Sequence, residues 1–180
     1  MLVIVATDLL ITALVVGFLL RPGDDDETLH RRPGLPAFVV DPHRQALAPV
    51  FERWAGEYGV PVALLEALTW RESQWDNRVR SDSGAIGIGQ LLPQTAAFVA
   101  AELIREPLDP AKPRDNIRLT ARYLRALVDR FGGKTRTALA AYLQGSTSVV
   151  DTGVTPQTAA YVRQILVLRD AFADARRGNR

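Results

Sequence analysis

The sequence predicts an all-α domain that follows an apolar N-terminal segment and a short linker. From about residue 42 onward, apolar residues recur at the three- and four-residue spacing of amphipathic helices. No segment of useful length alternates between apolar and polar residues as a half-buried strand does. With 180 residues, of which 47% are hydrophobic and 23% charged, the chain can form one globular domain with a substantial core.

Residues 1–20 are almost entirely apolar, and their only charged residue is Asp8. Twenty residues of helix span about 30 Å, the thickness of the hydrocarbon core of a bilayer. We therefore predict an uncleaved transmembrane anchor. A cleaved signal peptide stays open, although the segment has neither a basic start nor a typical cleavage site. A buried helix of a soluble domain is the third interpretation, and the charges at Arg21 and residues 24–27 argue against it.

Residues 21–41 are rich in proline, glycine and charge, and they lack helical periodicity, which predicts a linker. Within this linker, the short apolar patch at residues 37–40 is predicted to dock on the domain. Residues 42–180 then form the predicted domain. His30 and His43 are isolated in the sequence, so we interpret them as solvated side chains rather than ligands.

Prolines open three of the predicted helices, and glycines close two of them. The predicted elements in chain order are a helix ending at Gly59, a helix from Pro61 to about Glu72, a loop over residues 76–90, a helix from Pro93 to about Ile104, a long helix over 114–131, a short helix over 135–143, a loop over 145–155 and a last helix from Pro156.

Glu72 is the first candidate for a catalytic residue. It lies where a buried helix is predicted to meet the glycine-rich loop, between Trp70 and Trp75, two of only three tryptophans in the chain. Aromatic rings beside a carboxyl group disfavour its charged form, which raises its pKa towards that of a useful general acid. The same rings could stack on the faces of sugars. The ordinary alternative is a solvated carboxylate at a helix end.

The loop over residues 84–90 reads GAIGIGQ and resembles a phosphate-binding loop only superficially. No strand is predicted before it, and no Gly-Lys-Ser/Thr sequence ends it. Its small residues predict instead that the backbone approaches a ligand closely. Gln90 would then offer a neutral amide to the N-acetyl and hydroxyl groups of a sugar.

Composition excludes several kinds of chemistry. The chain has no cysteine, so a disulfide framework, a thiolate metal site and a cysteine nucleophile are absent. Its two histidines both lie in the N-terminal quarter, and no Ser/His/Asp set or metal-ligand spacing is present, so we predict neither a metal nor a cofactor. Basic residues do not cluster with aromatic ones, so we predict no nucleic-acid partner. The chemistry that these exclusions leave is catalysis by a carboxyl group on an uncharged sugar or a similar substrate.

Short motifs along the domain resemble, in their order, the soluble-lytic-transglycosylase type of lysozyme-like domain. They are Glu72-Ser73-Gln74-Trp75, Ser81, the run from Gly84 to Ala96, Asn116-Ile117, Tyr123-Leu124, Ala140-Ala141-Tyr142, and Pro156 with Thr158 and Tyr161-Val162. The resemblance covers about residues 45–168. It implies a mostly helical, lysozyme-like fold.

The resemblance also implies one essential glutamate, Glu72. This residue would protonate the glycosidic oxygen between N-acetylmuramic acid and N-acetylglucosamine in peptidoglycan, while the acetamido group of the substrate assists in place of a second carboxylate. It would then take a proton from the muramoyl 6-hydroxyl as a 1,6-anhydro ring closes. The residues implied to bind substrate are Ser73, which also holds the helix end, Ser81, Gln90 and Tyr142.

Two residues depart from the pattern of the family. Leu143 stands where the family usually has asparagine, although Gln144 could supply a polar group, and Gly89 stands where the family often has methionine, which removes a side chain from the cleft wall. Two alternatives therefore stay open: a hydrolytic lysozyme on the same fold, and a non-catalytic glycan-binding or assembly module.

The predicted partner is the glycan strand of peptidoglycan, and the catalytic domain is predicted to be monomeric. We expect it to lie outside the cytoplasmic membrane, held by residues 1–20, or to be secreted if this segment is cleaved. Acidic residues are concentrated in the first 27 positions, so the domain itself is more basic than the net charge of +2 for the whole chain. A basic domain suits an anionic polymer.

Overall fold

The computed structural model describes residues 34–39 and 41–178. In these residues all regular secondary structure is helical apart from two isolated β-bridges, which confirms the predicted all-α class. The predicted anchor at residues 1–20 and most of the predicted linker lie outside the described residues, as does His30. Among the helices that are described, none combines the length and hydropathy needed to span a bilayer.

The helices begin and end close to the predicted positions. They are α1 (Pro42–Gln45), α2 (Ala48–Tyr58), α3 (Val62–Ser73), α4 (Pro93–Phe98) with its π-helical continuation (Val99–Ile104), α5 (Pro113–Arg130), α6 (Thr135–Gln144), α7 (Ser146–Thr152) and α8 (Pro156–Arg177). Gly59 ends α2 with a left-handed φ of 63°, as its position predicted. Thr155 caps α8, because its side chain accepts a hydrogen bond from the amide of Thr158.

The loop predicted over residues 145–155 is wrong in its first part, where α7 forms. Gly145, at φ 87°, turns the chain out of α6, and the buried side chain of Val149 holds the new helix on the domain. The Thr152 hydroxyl donates to the carbonyl of Ser148 at 2.8 Å. Tertiary packing thus makes a helix from a sequence whose local preference is for a turn.

Helix α3 is the centre of the domain. Every residue from 63 to 70 is buried, including the polar Glu66 and Thr69. The helix packs on α8, α2 and α5, and α6 in turn packs on α5 and α8. Because α3 is enclosed along most of its length, its C-terminal end is a rigid position for a functional side chain.

An aromatic cluster fills the core beside α3. Trp75 packs on Phe51 at 4.5 Å and on Phe172 at 5.5 Å between ring centroids, and Trp70 contacts Trp75 edge-on at 5.4 Å. Phe38 lies 5.2 Å from Trp70. The prediction that the patch at residues 37–40 docks on the domain is therefore confirmed for its described residues.

Candidate active site

Glu72 is the penultimate residue of α3. The helix ends because Gln74 and Trp75 adopt left-handed φ angles of 53° and 64°, which are uncommon for residues other than glycine. This turn folds Trp75 back under the helix, and its indole N–H donates to the carbonyl of Glu66 at 3.1 Å. Trp70 and Trp75 are only 6% and 2% exposed. Both rings therefore belong to the core and are not exposed for stacking on the face of a sugar.

The carboxyl group of Glu72 is held from α8. The Tyr161 hydroxyl donates a hydrogen bond to Glu72 Oε1, and the Tyr161 side chain is itself buried. Beside them, the guanidinium of Arg71 lies over the Tyr161 ring at 5.5 Å and donates to Gln164 Oε1 at 2.7 Å. Glu72 is a half-buried residue, and its carboxyl group has a fixed orientation at the end of α3.

Burial raises the pKa of Glu72 to about 7, although the hydrogen bond from Tyr161 and the charge of Arg71 both act to lower it. A carboxyl group with this pKa exists in both protonation states at neutral pH. It can therefore give a proton and later take one, as a general acid that becomes a base must do. The predicted upward direction of the pKa shift is confirmed.

Two tyrosines near Glu72 remain protonated. Burial is the main cause that raises the pKa of Tyr142 and of Tyr161 well above the ordinary value, and the negative charge of Glu72 adds to it in both cases. Both hydroxyl groups therefore act as hydrogen-bond donors. Tyr142 donates to the carbonyl of Gly89 at 2.6 Å, whereas Tyr161 donates to Glu72 itself.

The loop between α3 and α4 is attached to the end of α3 at Ile88 and Gly89. The Ser73 hydroxyl donates to the carbonyl of Ile88 at 2.9 Å. The amide of Gly89 donates to Asn116 Oδ1 at 2.8 Å, and its carbonyl accepts the Tyr142 hydroxyl. The structure thus brings Glu72 together with two of the four predicted binding residues, Ser73 and Tyr142.

The other two predicted binding residues, Ser81 and Gln90, make hydrogen bonds within the loop. Ser81 Oγ accepts from the amide of Ala85 at 3.0 Å. Gln90 Nε2 donates to the carbonyl of Gly87 at 2.9 Å and to that of Val79 at 3.3 Å. These bonds fix the shape of the loop, and a substrate contact by either residue stays a prediction.

The glycines of the loop permit close contacts inside the protein. A Cβ atom on Gly87 would lie 2.2 Å from Asn77 Oδ1, and one on Gly89 would lie 1.9 Å from Thr120 Oγ1. Both glycines are buried. The interpretation of Gly89 as a side chain removed from the cleft wall is therefore wrong, since a Cβ there would point into the domain.

Gln144, which could supply a polar group where Leu143 has none, makes its hydrogen bonds within the domain. Its Nε2 donates to the carbonyl of Gly153 at 2.8 Å and to Ser148 Oγ at 2.9 Å, and its Oε1 accepts from the amide of Thr155 at 3.2 Å. The side chain therefore fastens α7 and the following turn to α6. Leu143 is 48% exposed next to Tyr142.

Three residues that shape this site have no role predicted from the sequence: Tyr161, Asn116 and Thr120. Tyr161 contacts Glu72 from 89 positions away, and no local pattern indicates that contact. Asn116 and Thr120 did leave a signal, because they are fully buried polar residues one helical turn apart in α5. Polar side chains on an otherwise apolar helix face must find partners or serve a site.

Replacing Glu72 with glutamine should stabilise the protein at alkaline pH. Because its pKa is raised from 4.5 to about 7 on folding, the stability associated with its protonated form is complete below pH 4.5 and is lost as the pH rises through 7. We compare the free energy of unfolding of E72Q with that of the wild type at each pH. The advantage of E72Q should be about 2 kcal/mol larger at pH 8 than at pH 5. Urea denaturation at both pH values measures this difference, and an equal difference at both would contradict the raised pKa.

Comparison with known proteins identifies the family. The Transglycosylase SLT domain family matches residues 49–162, which is more than half of the chain. The membrane-bound lytic murein transglycosylase F of Pseudoalteromonas translucida is 35% identical over 133 residues, which are 67% of this chain and 27% of that protein. The soluble lytic murein transglycosylase of Escherichia coli is 28% identical over 100 residues, 53% of this chain and 16% of that protein.

The fold agrees with this result. An X-ray structure of an inactive glutamate-to-glutamine mutant of the lytic transglycosylase Slt from Pseudomonas aeruginosa matches with a TM-score of 0.65 and 28% identity, covering 70% of this chain and 24% of that one. This chain thus spans about a quarter or less of the length of these relatives. From the matched residues and the shared helical fold, the chain belongs to the transglycosylase SLT domain family, as its motifs predicted.

Proposed function

We propose that this chain is a murein lytic transglycosylase that cleaves the β-1,4 bond between N-acetylmuramic acid and N-acetylglucosamine and leaves 1,6-anhydro-muramoyl ends. The observation that carries the proposal is Glu72, a half-buried residue whose carboxyl group has a pKa of about 7 and is held by Tyr161 at the end of α3. The relatives named as lytic murein transglycosylases support the same activity.

In the proposed reaction, the protonated Glu72 donates its proton to the glycosidic oxygen as the bond from that oxygen to the muramoyl C1 breaks. The acetamido oxygen of the same sugar attacks C1, so the positive charge is held in a cyclic intermediate. The Glu72 carboxylate then takes the proton of the 6-hydroxyl, whose oxygen attacks C1 and displaces the acetamido group. No water is consumed, and Glu72 ends the cycle protonated.

The carboxylates near Glu72 in the sequence support a scheme with one catalytic carboxyl group. Asp76 forms a two-point ion pair with Arg78 at 2.9 and 2.7 Å, and the hydrogen bonds from Arg78 lower the pKa of Asp76 to about 2. Asp76 therefore remains ionised and paired with Arg78. Asp82 is exposed in the loop. The inactive glutamate-to-glutamine mutant of the Pseudomonas aeruginosa relative is consistent with one essential glutamate.

The test is mass spectrometry of the muropeptides that the purified full chain releases from isolated sacculi. We expect muramoyl products that are lighter by one water than the corresponding reducing sugars. Products with reducing ends would instead establish the hydrolytic lysozyme. If neither product forms while the protein still sediments with sacculi, the chain is a glycan-binding module and the enzymatic proposal is wrong.

We also propose that the enzyme works in the cell envelope, with residues 1–20 as its anchor and the domain outside the cytoplasmic membrane. The support is the apolar length of this segment and the membrane-bound relative. In cell fractionation, the full chain should stay in the membrane pellet after an alkaline wash. A chain that lacks residues 1–20 should be released. Release of both would contradict the anchor.

Activity should fall as the pH rises through about 7, because the first step requires protonated Glu72. The hydrogen bond from Tyr161 lowers the pKa of Glu72. In Tyr161→Phe, the alkaline limb of the pH–rate profile, where activity falls, should therefore shift to higher pH. Initial rates of sacculus clearing between pH 5 and 9 measure both effects. Tyr58→Phe is the matched control, because that hydroxyl accepts a hydrogen bond from Arg118 instead. An unchanged limb in Y161F would contradict the role of Tyr161.

A further inference from the structure

Thr120 has a side chain that the fold alone does not explain. It lies on α5, one turn after Asn116, and is fully buried. Among the described residues, its Oγ1 is a buried polar atom that forms no hydrogen bond of normal geometry. An unpaired buried hydroxyl destabilises a protein, and valine has the same shape without that penalty. Such a group therefore calls for a role in the site beside it.

The Thr120 side chain occupies the space next to the Cα atom of Gly89. A Cβ at position 89 would lie 1.9 Å from Thr120 Oγ1 and 3.0 Å from both its Cβ and its Cγ2. The backbone of Gly89 does not have a positive φ, so its conformation would accept alanine. Position 89 is therefore a glycine because Thr120 fills the volume of its side chain.

The Thr120 hydroxyl also lies near the hydroxyl of Tyr142. Burial and the charge of Glu72 raise the pKa of Tyr142, whereas the Thr120 hydroxyl acts to lower it, as a donor to the phenol oxygen does. Tyr142 uses its own proton in the bond to the carbonyl of Gly89, so the lone pairs of its oxygen remain to accept a proton donor. Thr120 carries that donor.

We propose that Thr120 is a positioning residue of the glycan-cleaving site, a role that rests on the proposed transglycosylase function. Its hydroxyl donates to Tyr142 Oη, Tyr142 donates to the carbonyl of Gly89, and its methyl group packs under the loop. This chain of contacts sets the position of the Tyr142 ring and of the loop backbone relative to Glu72.

The first experiment compares Thr120→Val with Thr120→Ser on soluble, uncross-linked glycan strands. We expect T120V to lower kcat about fivefold, the effect of one hydrogen bond, with little change in KM and no loss of melting temperature. T120S, which keeps the hydroxyl, should retain at least half of the wild-type kcat. Thr69→Val is the matched control, because that buried hydroxyl bonds to the carbonyl of Leu65 within α3; its kcat should not change.

The second experiment tests the packing of Thr120 against position 89 without any activity measurement. Gly89→Ala alone should lower the melting temperature by about 5 °C, since it overpacks the contact with Thr120. Thr120→Gly alone should also destabilise. The double variant should melt well above the temperature that the sum of the two single shifts predicts.

The outcomes separate this inference from the proposed function. If the wild type cleaves glycans but T120V keeps its full kcat, the positioning role is wrong and the proposed function stands. If the wild type itself is inert, both the proposed function and the positioning role of Thr120 are wrong. Additive shifts in the double variant would overturn the packing of Thr120 against Gly89 in either case.

Discussion

Replacing Glu72 with glutamine should reduce glycan cleavage by at least about a thousandfold in kcat while leaving the fold intact. Glutamine keeps the shape of the side chain and can still accept the hydrogen bond from Tyr161, but it has no acidic proton to donate. Both proposed steps need the carboxyl group, first as acid and then as base, so no other group compensates. Release of soluble muropeptides from sacculi, followed by chromatography, measures the loss.

The controls for this prediction are Asp76→Asn and Asp82→Asn, which remove the carboxylates close to Glu72 in the sequence. Asp76 is tied to Arg78, and Asp82 is exposed, so neither change should lower kcat more than about twofold. A loss in either variant comparable to that of E72Q would indicate a second catalytic carboxylate and a scheme like that of two-carboxylate glycosidases. Residual activity of E72Q within tenfold of the wild type would contradict the role of Glu72.

The sequence predicted the elements of the fold whose ends are encoded locally. Gly59 ends α2, Pro93 opens α4 and Pro156 opens α8 where the sequence placed them. Glu72 could be located for the same reason, since it precedes a glycine-rich loop at the end of a predicted helix. Helix α7 could not be predicted, because one buried valine and a glutamine from α6 stabilise a sequence that favours turns.

The environment of the candidate site depends on contacts between distant positions, which no local pattern encodes. Trp75 turns into the core because Gln74 and Trp75 take left-handed conformations that the sequence gives no reason to expect, whereas Trp70 lies on the buried part of α3 itself. The carboxyl group meets Tyr161 instead, from the last helix. Likewise, the reason for a glycine at position 89 is found only in the folded protein, where Thr120 of α5 occupies the space of a side chain at this position.

The second large effect that we expect concerns the ion pair that connects α3 to α8. Glu66 is fully buried in α3, and Arg176 of α8 donates to its two carboxylate oxygens at 3.0 and 2.5 Å. Arg176 also reaches Glu52 at 3.1 Å. Burial raises the pKa of Glu66 to about 7, while Arg176 acts to lower it. Without Arg176, an uncompensated carboxylate would remain inside the helix that carries Glu72.

Replacing Arg176 with methionine should therefore destabilise the domain by about 3 kcal/mol at pH 8, a fall of roughly 10 °C in melting temperature. Because the pKa of Glu66 is raised on folding, the protein loses stability as the pH rises from 4.5 through 7. Arg176 lowers this pKa, so its removal makes the loss of stability larger. The deficit should be smaller at pH 5, where Glu66 is protonated in the folded state. Thermal unfolding at the two pH values measures this difference.

Two further variants identify the origin of this effect. The double variant Glu66→Leu with Arg176→Met removes both charges and should recover most of the melting temperature at pH 8, because a buried ion pair can be exchanged for apolar packing at little cost. Arg125→Met breaks an exposed ion pair with Asp129 and should leave the melting temperature unchanged. If R176M loses the same stability at pH 5 and pH 8, the cause is the packing of the Arg176 side chain rather than the charge of Glu66. In that case the domain would depend on this contact between α3 and α8 for its shape alone.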